Sequence, residues 1–365
     1  MVPPEGIETP VAVVDVETVR ANARRVVEFL TGAGVSWRPH IKTHKCLEVA
    51  RIQLEEGARG LTVATPREAE VMASVADDLL MAYPPVGPTK LARILDLPEQ
   101  VRLTVALDSH DALQMLSRGA SAAGRTVGVV VEVDMGMRRV GVASTQEALD
   151  LARAAARSPG VAYRGVLFYP GHIRAPIDES ESELSSLQAR LHGLLEALRA
   201  EGLEPEIVSG GSTPTLWASD RLGGMTECRA GTCIFNDRDI AALGACRPDQ
   251  YAYSICATVI STALPGQAVV DAGSKALAKE TLRGEGAGFG VLLERPEVRV
   301  RGLSEEHGIL DLSATAWRPS VGERVRIVPN HVCVSVNLQD RLLAWDGEAW
   351  KPWSLPARGR GPYVR

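Results

Sequence analysis

The run VAVVD, Val11 to Asp15, is short and β-branched, and it predicts a strand. Apolar residues then recur at Val16, Val19, Ala23, Val26, Val27 and Leu30, the spacing of a helix face, and Gly32 and Gly34 end that pattern. VSWRPHI predicts a second strand leading into a helix over Leu47 to Glu56. GLTVA, DLLMA, RLTVAL, TVGVVVEVD, YRGVLFY, EPEIVSGG and RAGTCIF follow, each apolar or β-branched and most succeeded by a helical stretch. About eight such units predict an α/β chain with an N-terminal (β/α)8 barrel. A doubly wound sheet has the same alternation, and periodicity alone does not separate the two.

Near Asp249 the texture changes. YSICATVISTAL, QAVVDAG, GFGVLLE, EVRVRGLS, ERVRIVPNHVCVSVNL and RLLAWDG read as strands separated by turn signals such as Pro265-Gly266 and Asp346-Gly347. The expected division is a barrel domain over residues 1–245, whose first residues can join the β domain, and a C-terminal all-β domain over 246–365. The terminal RGRGPYVR is expected to fray.

Composition narrows the partners. In 365 residues, Lys+Arg number 40 against 45 Asp+Glu, a net charge of -5, so no basic excess exists to meet a nucleic-acid backbone. No apolar run approaches the roughly 20 residues of a membrane span, and the acidic, proline-rich start is no secretory signal. The 6 cysteines are scattered rather than paired in a dense framework, which points to a reducing cytoplasm.

Four segments carry chemistry. Arg38-Pro-His-Ile-Lys42-Thr-His-Lys45 closes an early strand, and the C-terminal strand ends of a β/α barrel are where its chemistry sits. Lys42 follows the strand directly and is a better inward-pointing Schiff-base lysine than Lys45, although composition alone favours a solvated basic loop. Val208-Ser-Gly-Gly-Ser-Thr-Pro-Thr215 joins glycines to hydroxyls, and Arg229-Ala-Gly-Thr232 repeats that combination at the next strand; both suit an anion, and both also suit plain turns. Glu132-Val-Asp134 leads to Arg138 and Arg139, which fit a ring nitrogen, a carboxylate or a surface ion pair. Tyr169-Pro-Gly-His172 ends another strand with a phenol and an imidazole. Finally, if PNHVCVSV is a strand, His331 and Cys333 share one side of it. They form either a two-ligand metal pair suited to zinc or a buried cysteine beside a bonded histidine.

The ordered set RPHIKTHK, EVDMGMRRVGV, FYPGHI, VSGGSTPT, FND, DAGSKAL, LSEEHG and PNHVC resembles the family of pyridoxal-phosphate enzymes that includes D-threonine aldolase and eukaryotic-type D-serine dehydratase, within the alanine-racemase-like fold type III. The resemblance runs over almost the whole chain. It implies a barrel holding pyridoxal 5'-phosphate, a β domain carrying a divalent metal (zinc, manganese or magnesium), a homodimer, and a small D-amino acid as substrate. By motif, Lys42 is the Schiff-base residue and Cα-proton base. Arg139 lies near the pyridine ring and Tyr169 against the cofactor. Ser212, Thr213, Gly231 and Thr232 hold the phosphate, and His331 and Cys333 hold the metal.

Two positions depart from one aldolase branch of that family: its metal pair is His-x-Asp, and a histidine stands where Ala175 is found here. Cys233 stands where a tyrosine is common. His172 offers a replacement imidazole and joins Lys42 as a catalytic candidate. The expected activity is a lyase on 3-hydroxy-D-amino acids, D-threonine aldolase first, cleaving to glycine and an aldehyde. The alternative is a D-serine or D-threonine dehydratase releasing ammonia and a 2-oxo acid. A racemase is more distant, because it needs a second base on the opposite face and no metal pair.

Overall fold

The computed structural model describes residues 2–282, 287–359 and 361; most of the RGRGPYVR tail lies outside the described residues. The chain divides into two compact units, one of residues 23–231 with 356–365, the other of residues 1–22 with 232–355. The structural boundary therefore falls at 231/232 rather than near 245, and the first 22 residues go with the β unit.

β1 (Val11–Asp15) shows why. It pairs antiparallel with β10 (Tyr253–Ser261) and parallel with β16 (Arg341–Trp345), so the first strand of the chain is not a barrel strand. The barrel strands are β2 (Ser36–Trp37), β3 (Leu61–Val63), β4 (Asp78–Met81), β5 (Arg102–Leu107), β6 (Val127–Glu132), β7 (Val161–Leu167), β8 (Ile207–Gly210) and β9 (Glu227–Cys228). They run in the order β2-β9-β8-β7-β6-β5-β4-β3, all parallel. A parallel bridge between His40 and Thr62 closes the ring between β2 and β3. RAGTCIF is not a strand in its own right: β9 ends just before it, and Thr232–Ile234 forms a 3-10 turn.

Leu80, Ala106, Val130, Leu167 and Ile207, one from each of five successive barrel strands, form a buried apolar cluster. Helices start promptly after strands because their caps are local. Thr65 accepts from Glu68 N with Pro66 in the first turn, and Ser144 and Glu147 form a reciprocal capping box. One ionic network runs through the barrel. Arg38 Nε donates to Glu227 Oε2 at 2.8 Å and its Nη1 to Asp78 Oδ1 at 2.6 Å, with the Glu227 side chain fully buried. Burial alone would lower the Arg38 pKa, but the Glu227 and Asp78 carboxylates more than offset it and the net shift is upward.

The other unit is a nine-stranded sheet that includes β11 (Gln267–Val270), β12 (Gly290–Leu292), β13 (Arg299–Leu303), β14 (Gly308–Asp311), β15 (Arg324–Pro329) and β17 (Trp350–Ser354). Pairing between β10 and β11 joins the ends of the series β11-β14-β13-β12-β15-β10, giving a six-stranded antiparallel barrel extended by β1, β16 and β17. The segment expected to run on as strand after Pro329 does not. Val332–Leu338 is a helix with extended His331 as its N-cap.

Candidate active site

At the mouth of the parallel barrel, β2 is followed by His40 and a 3-10 turn, Ile41–Thr43, in which His40 accepts from the Lys42 amide. Lys42 Nζ lies 5.9 Å from the centroid of the Tyr169 ring, and the Arg139 guanidinium lies 5.0 Å from the same ring. Three residues proposed from separate motifs thus meet around one aromatic ring. Lys45 is occupied elsewhere. Its Nζ donates to Glu68 Oε1 at 2.6 Å, while Glu68 Oε2 accepts from Ala64 N at 2.6 Å. Glu68 is placed for this by the Thr65 cap that starts its helix immediately after β3.

The two histidines of this segment are neutral. Burial, then the charges of Lys42 and Arg229, hold His40 well below the usual imidazole range. Burial pulls His44 down to about 3, against the opposing hydrogen bond to Gln53. His44 Nε2 and Gln53 Oε1 are 3.1 Å apart, so this imidazole ties β2's exit to the following helix. His172 packs against Gly136, where a Cβ would come within 2.7 Å of the imidazole ring. It stands on the loop after β7, three residues past Tyr169, with its ring against the loop that follows β6.

The strand ends next to this cluster are stripped of side chains. A Cβ on Gly210 would collide with the Phe168 ring, one on Gly211 (φ +81°) would lie 2.6 Å from Cys228 Sγ, and one on Gly231 would lie 2.5 Å from His40 O. Only glycine permits these close approaches, and it leaves bare backbone at the exits of β8 and β9. Ser212 and Thr213 follow and are buried, with Ser212 Oγ 3.0 Å from Thr215 Oγ1. A lysine, an aromatic face and a glycine cradle with hydroxyls fit a flat phosphorylated aldehyde such as pyridoxal phosphate.

In the β unit, Asp237 is fully buried and every oxygen is used: Oδ1 accepts from Ile240 N at 2.9 Å, and Oδ2 accepts from Val332 N at 2.9 Å and faces His331 Nδ1 at 3.1 Å. The Val332 amide is an otherwise orphan donor of the first turn of the Val332–Leu338 helix, so Asp237 both starts that helix and orients the imidazole. His331 and Cys333 therefore do not share a strand face. They still meet at the helix start, where a hydrogen bond links them. Burial lowers the His331 pKa, but hydrogen bonds to Asp237 and Cys333 outweigh it and push the value up to about 11. Asp237, Asp239 and His331 offer ligand atoms within 4.8 Å of one another. An imidazole, a thiol and carboxylates fit a borderline divalent cation. Thr232, expected at the phosphate, belongs to this unit, where its hydroxyl is 3.8 Å from Cys333 Sγ.

Sequence reading passed over Asp237, although it quoted FND, and left Glu132 without a role. It named Arg229 only as an anion donor. That side chain is buried, with Nη1 on Ser209 Oγ and Nη2 on Phe168 O, both at 2.8 Å.

A closed parallel barrel followed in the chain by a closed antiparallel one is the architecture of the alanine-racemase-like enzymes. Residues 14–239 match the family model for the alanine racemase N-terminal domain, and residues 252–345 match that for a putative serine dehydratase domain. The chain is 32% identical to D-threonine aldolase of an Arthrobacter species over 97% of its own length and 93% of the relative's. It is 34% identical to D-threo-3-hydroxyaspartate dehydratase of Delftia sp. HT23, covering 90% of this chain and 92% of that one. The crystal structure of D-threonine aldolase from Filomicrobium marinum superposes with a TM-score of 0.88 at 32% identity, covering 96% of each chain. The protein belongs to the D-threonine aldolase and D-serine dehydratase-like family of pyridoxal-phosphate enzymes.

Proposed function

We propose that the protein is a pyridoxal-phosphate- and divalent-metal-dependent lyase of 3-hydroxy-D-amino acids, with retro-aldol cleavage of D-threonine-like substrates as its main reaction. The observation that carries this reading is the pair of lysines after β2: Lys45 is held by Glu68, while Lys42 faces the Tyr169 ring together with Arg139. Lys42 carries the cofactor and exchanges the proton at the substrate Cα. Tyr169 and Arg139 would hold the cofactor's ring. Ser212, Thr213 and the bare backbone at Gly211 and Gly231 receive the phosphate. His172 is the candidate second imidazole. When bound, the cofactor supplies an electron sink for the bond broken at Cα. A divalent ion held by His331 and Cys333, zinc, manganese or magnesium, would polarise the substrate 3-hydroxyl as a Lewis acid.

Dehydration is the second reading, and Cys333 is what favours it. The relative that is a dehydratase has been solved as a cysteine-to-alanine variant in a metal-free form, which supports a cysteine as metal ligand in that branch. A homodimer in the cytoplasm completes the proposal; among the described residues no helix is long and apolar enough to cross a membrane. Product analysis with D-threonine decides the reaction. Glycine and acetaldehyde support the aldolase; ammonia and 2-oxobutanoate without glycine establish the dehydratase. Turnover of the L-series alone would overturn both.

A further inference from the structure

The last residue of β6 is a glutamate in an otherwise apolar strand, VGVVVE, buried at every position. Glu132 follows Val130 at the two-residue repeat of a strand, on the face that brings Val130 into the barrel's apolar cluster. Its side chain is only 4% exposed, and its Oε2 is buried with no hydrogen-bond partner among the described residues. Native structures rarely leave a buried carboxylate oxygen unsatisfied, and where they do, the group commonly serves a ligand.

Its surroundings say what it serves. Residues 133–142 fold back over the strand end, with Val142 N donating to Glu132 O at 2.9 Å and Val133 bridging Val142. Gly141 (φ +108°) makes that return possible, because a Cβ there would lie 2.5 Å from Asp134 N. This folded loop carries Arg139, and one small hollow is lined by Glu132, Arg139 and Tyr169 together. The other nearby cation, Arg229, is already spent on Ser209 Oγ and Phe168 O. Burial raises the Glu132 pKa, and the charges of Arg229 and Arg139 oppose that rise.

We propose that Glu132 is a positioning residue of the cofactor pocket: its unpartnered carboxylate oxygen receives the Arg139 guanidinium and holds it toward the ring of the bound cofactor. The inference rests on the reading that this pocket binds pyridoxal phosphate. Arg139 is long, exposed and set on a loop, so without an anchor it would reach the ring in many rotamers. A carboxylate that is unpaired until then costs the cofactor-free fold and benefits the complex, the trade expected of a functional site.

The test is a double-mutant cycle of Glu132→Gln and Arg139→Gln, with Glu132→Asp as the conservative variant. Cofactor affinity is read by titrating the cofactor-free protein with pyridoxal phosphate, and fold stability by thermal unfolding of the same protein. If the wild type itself takes up no pyridoxal phosphate, the functional reading of the pocket fails first. Given uptake, Glu132→Gln should bind about tenfold more weakly, the scale of one charge-assisted hydrogen bond. The double variant should bind no more weakly than Arg139→Gln alone. Glu132→Asp should recover part of the loss, and the cofactor-free Glu132→Gln protein should melt at or above the wild-type temperature. Wild-type affinity in Glu132→Gln, additive losses in the double variant, or a lower melting temperature with unchanged affinity would each overturn the role.

Discussion

At the barrel mouth the chain makes room by leaving atoms out, whereas in the β unit it makes a site by using every atom. Gly210, Gly211 and Gly231 keep the exits of β8 and β9 bare, and the side chains meeting there, Lys42 and Arg139, are exposed and long. Around His331 the opposite holds: Asp237 is fully buried and accepts from two backbone amides while facing the imidazole. The imidazoles record the same contrast. His40 and His44 are driven down by burial, while His331, bonded to Asp237 and Cys333, is pushed up to about 11. A bare cradle suits a large, flat, anionic group that brings its own chemistry. A saturated carboxylate behind an imidazole suits a small cation that needs its ligand held still.

The hardest break in this comparison is at Lys42. Lys42→Ala should remove the cofactor's visible absorbance and lower turnover by at least about a thousandfold, the scale of losing a lysine that also exchanges a proton. Lys45→Ala should keep the absorbance, since that ammonium is committed to Glu68. An unchanged spectrum in Lys42→Ala would remove the lysine from the site.

Next in size is the ionic network beneath the cradle. Glu227→Ala strips Arg38 of one buried partner and should cost about 3–5 kcal/mol of stability, measured by denaturant unfolding. A loss under about 1 kcal/mol would mean that Asp78 suffices as the partner.

The β-unit side is sharpened by metal binding. Asp237→Asn should weaken zinc binding about 10- to 100-fold in competition with a chromogenic chelator, because the imidazole loses its orienting anion. Chelation of the wild type should stop turnover without shifting the thermal transition, since the carboxylate and the backbone amides hold the fold together without a cation. A chain that unfolds when stripped would make the cluster structural.

Per pH unit, the smallest effect is in acid. His44 is neutral in the fold with a value of about 3, below the ordinary 6.5, so the unfolded chain binds a proton that the folded one refuses. Its stabilising effect is complete above the ordinary value and is lost as pH falls from there toward 3. The slope should be about 1.4 kcal/mol per pH unit for each such histidine, and His40 acts in the same direction. Denaturant midpoints measured across that window in wild type and His44→Gln should converge at low pH.

Much of this was legible in local pattern. Parallel barrel strands are buried on both faces and so read as short apolar runs, which is why VGVVVE, RLTVAL and DLLM announced themselves. The glycine-hydroxyl loop and the lysine at a strand exit were visible for the same reason, since each needs only neighbouring residues. What pattern missed depended on distant partners. VAVVD looks like any other strand of the series, and only β10 and β16, both far along the chain, claim it for the β unit. His331 and Cys333 looked like strand neighbours because the run around them is β-branched. The helix begins there because Asp237, 95 residues from Val332 in sequence, satisfies the Val332 amide.

By itself, then, the order of residues determined the two classes of element, the lysine and glycine chemistry at the barrel mouth, and the family to which the motifs belong. Tertiary structure decided where the first strand pairs, which lysine is taken by Glu68, and that a buried aspartate stands behind His331. The division has a physical basis. Hydrophobic period, capping and glycine freedom act over a few residues and leave their mark in the local sequence. A hydrogen bond to a group 20 or 90 residues away carries no local mark, yet it fixes which side chain is occupied and which is left to act.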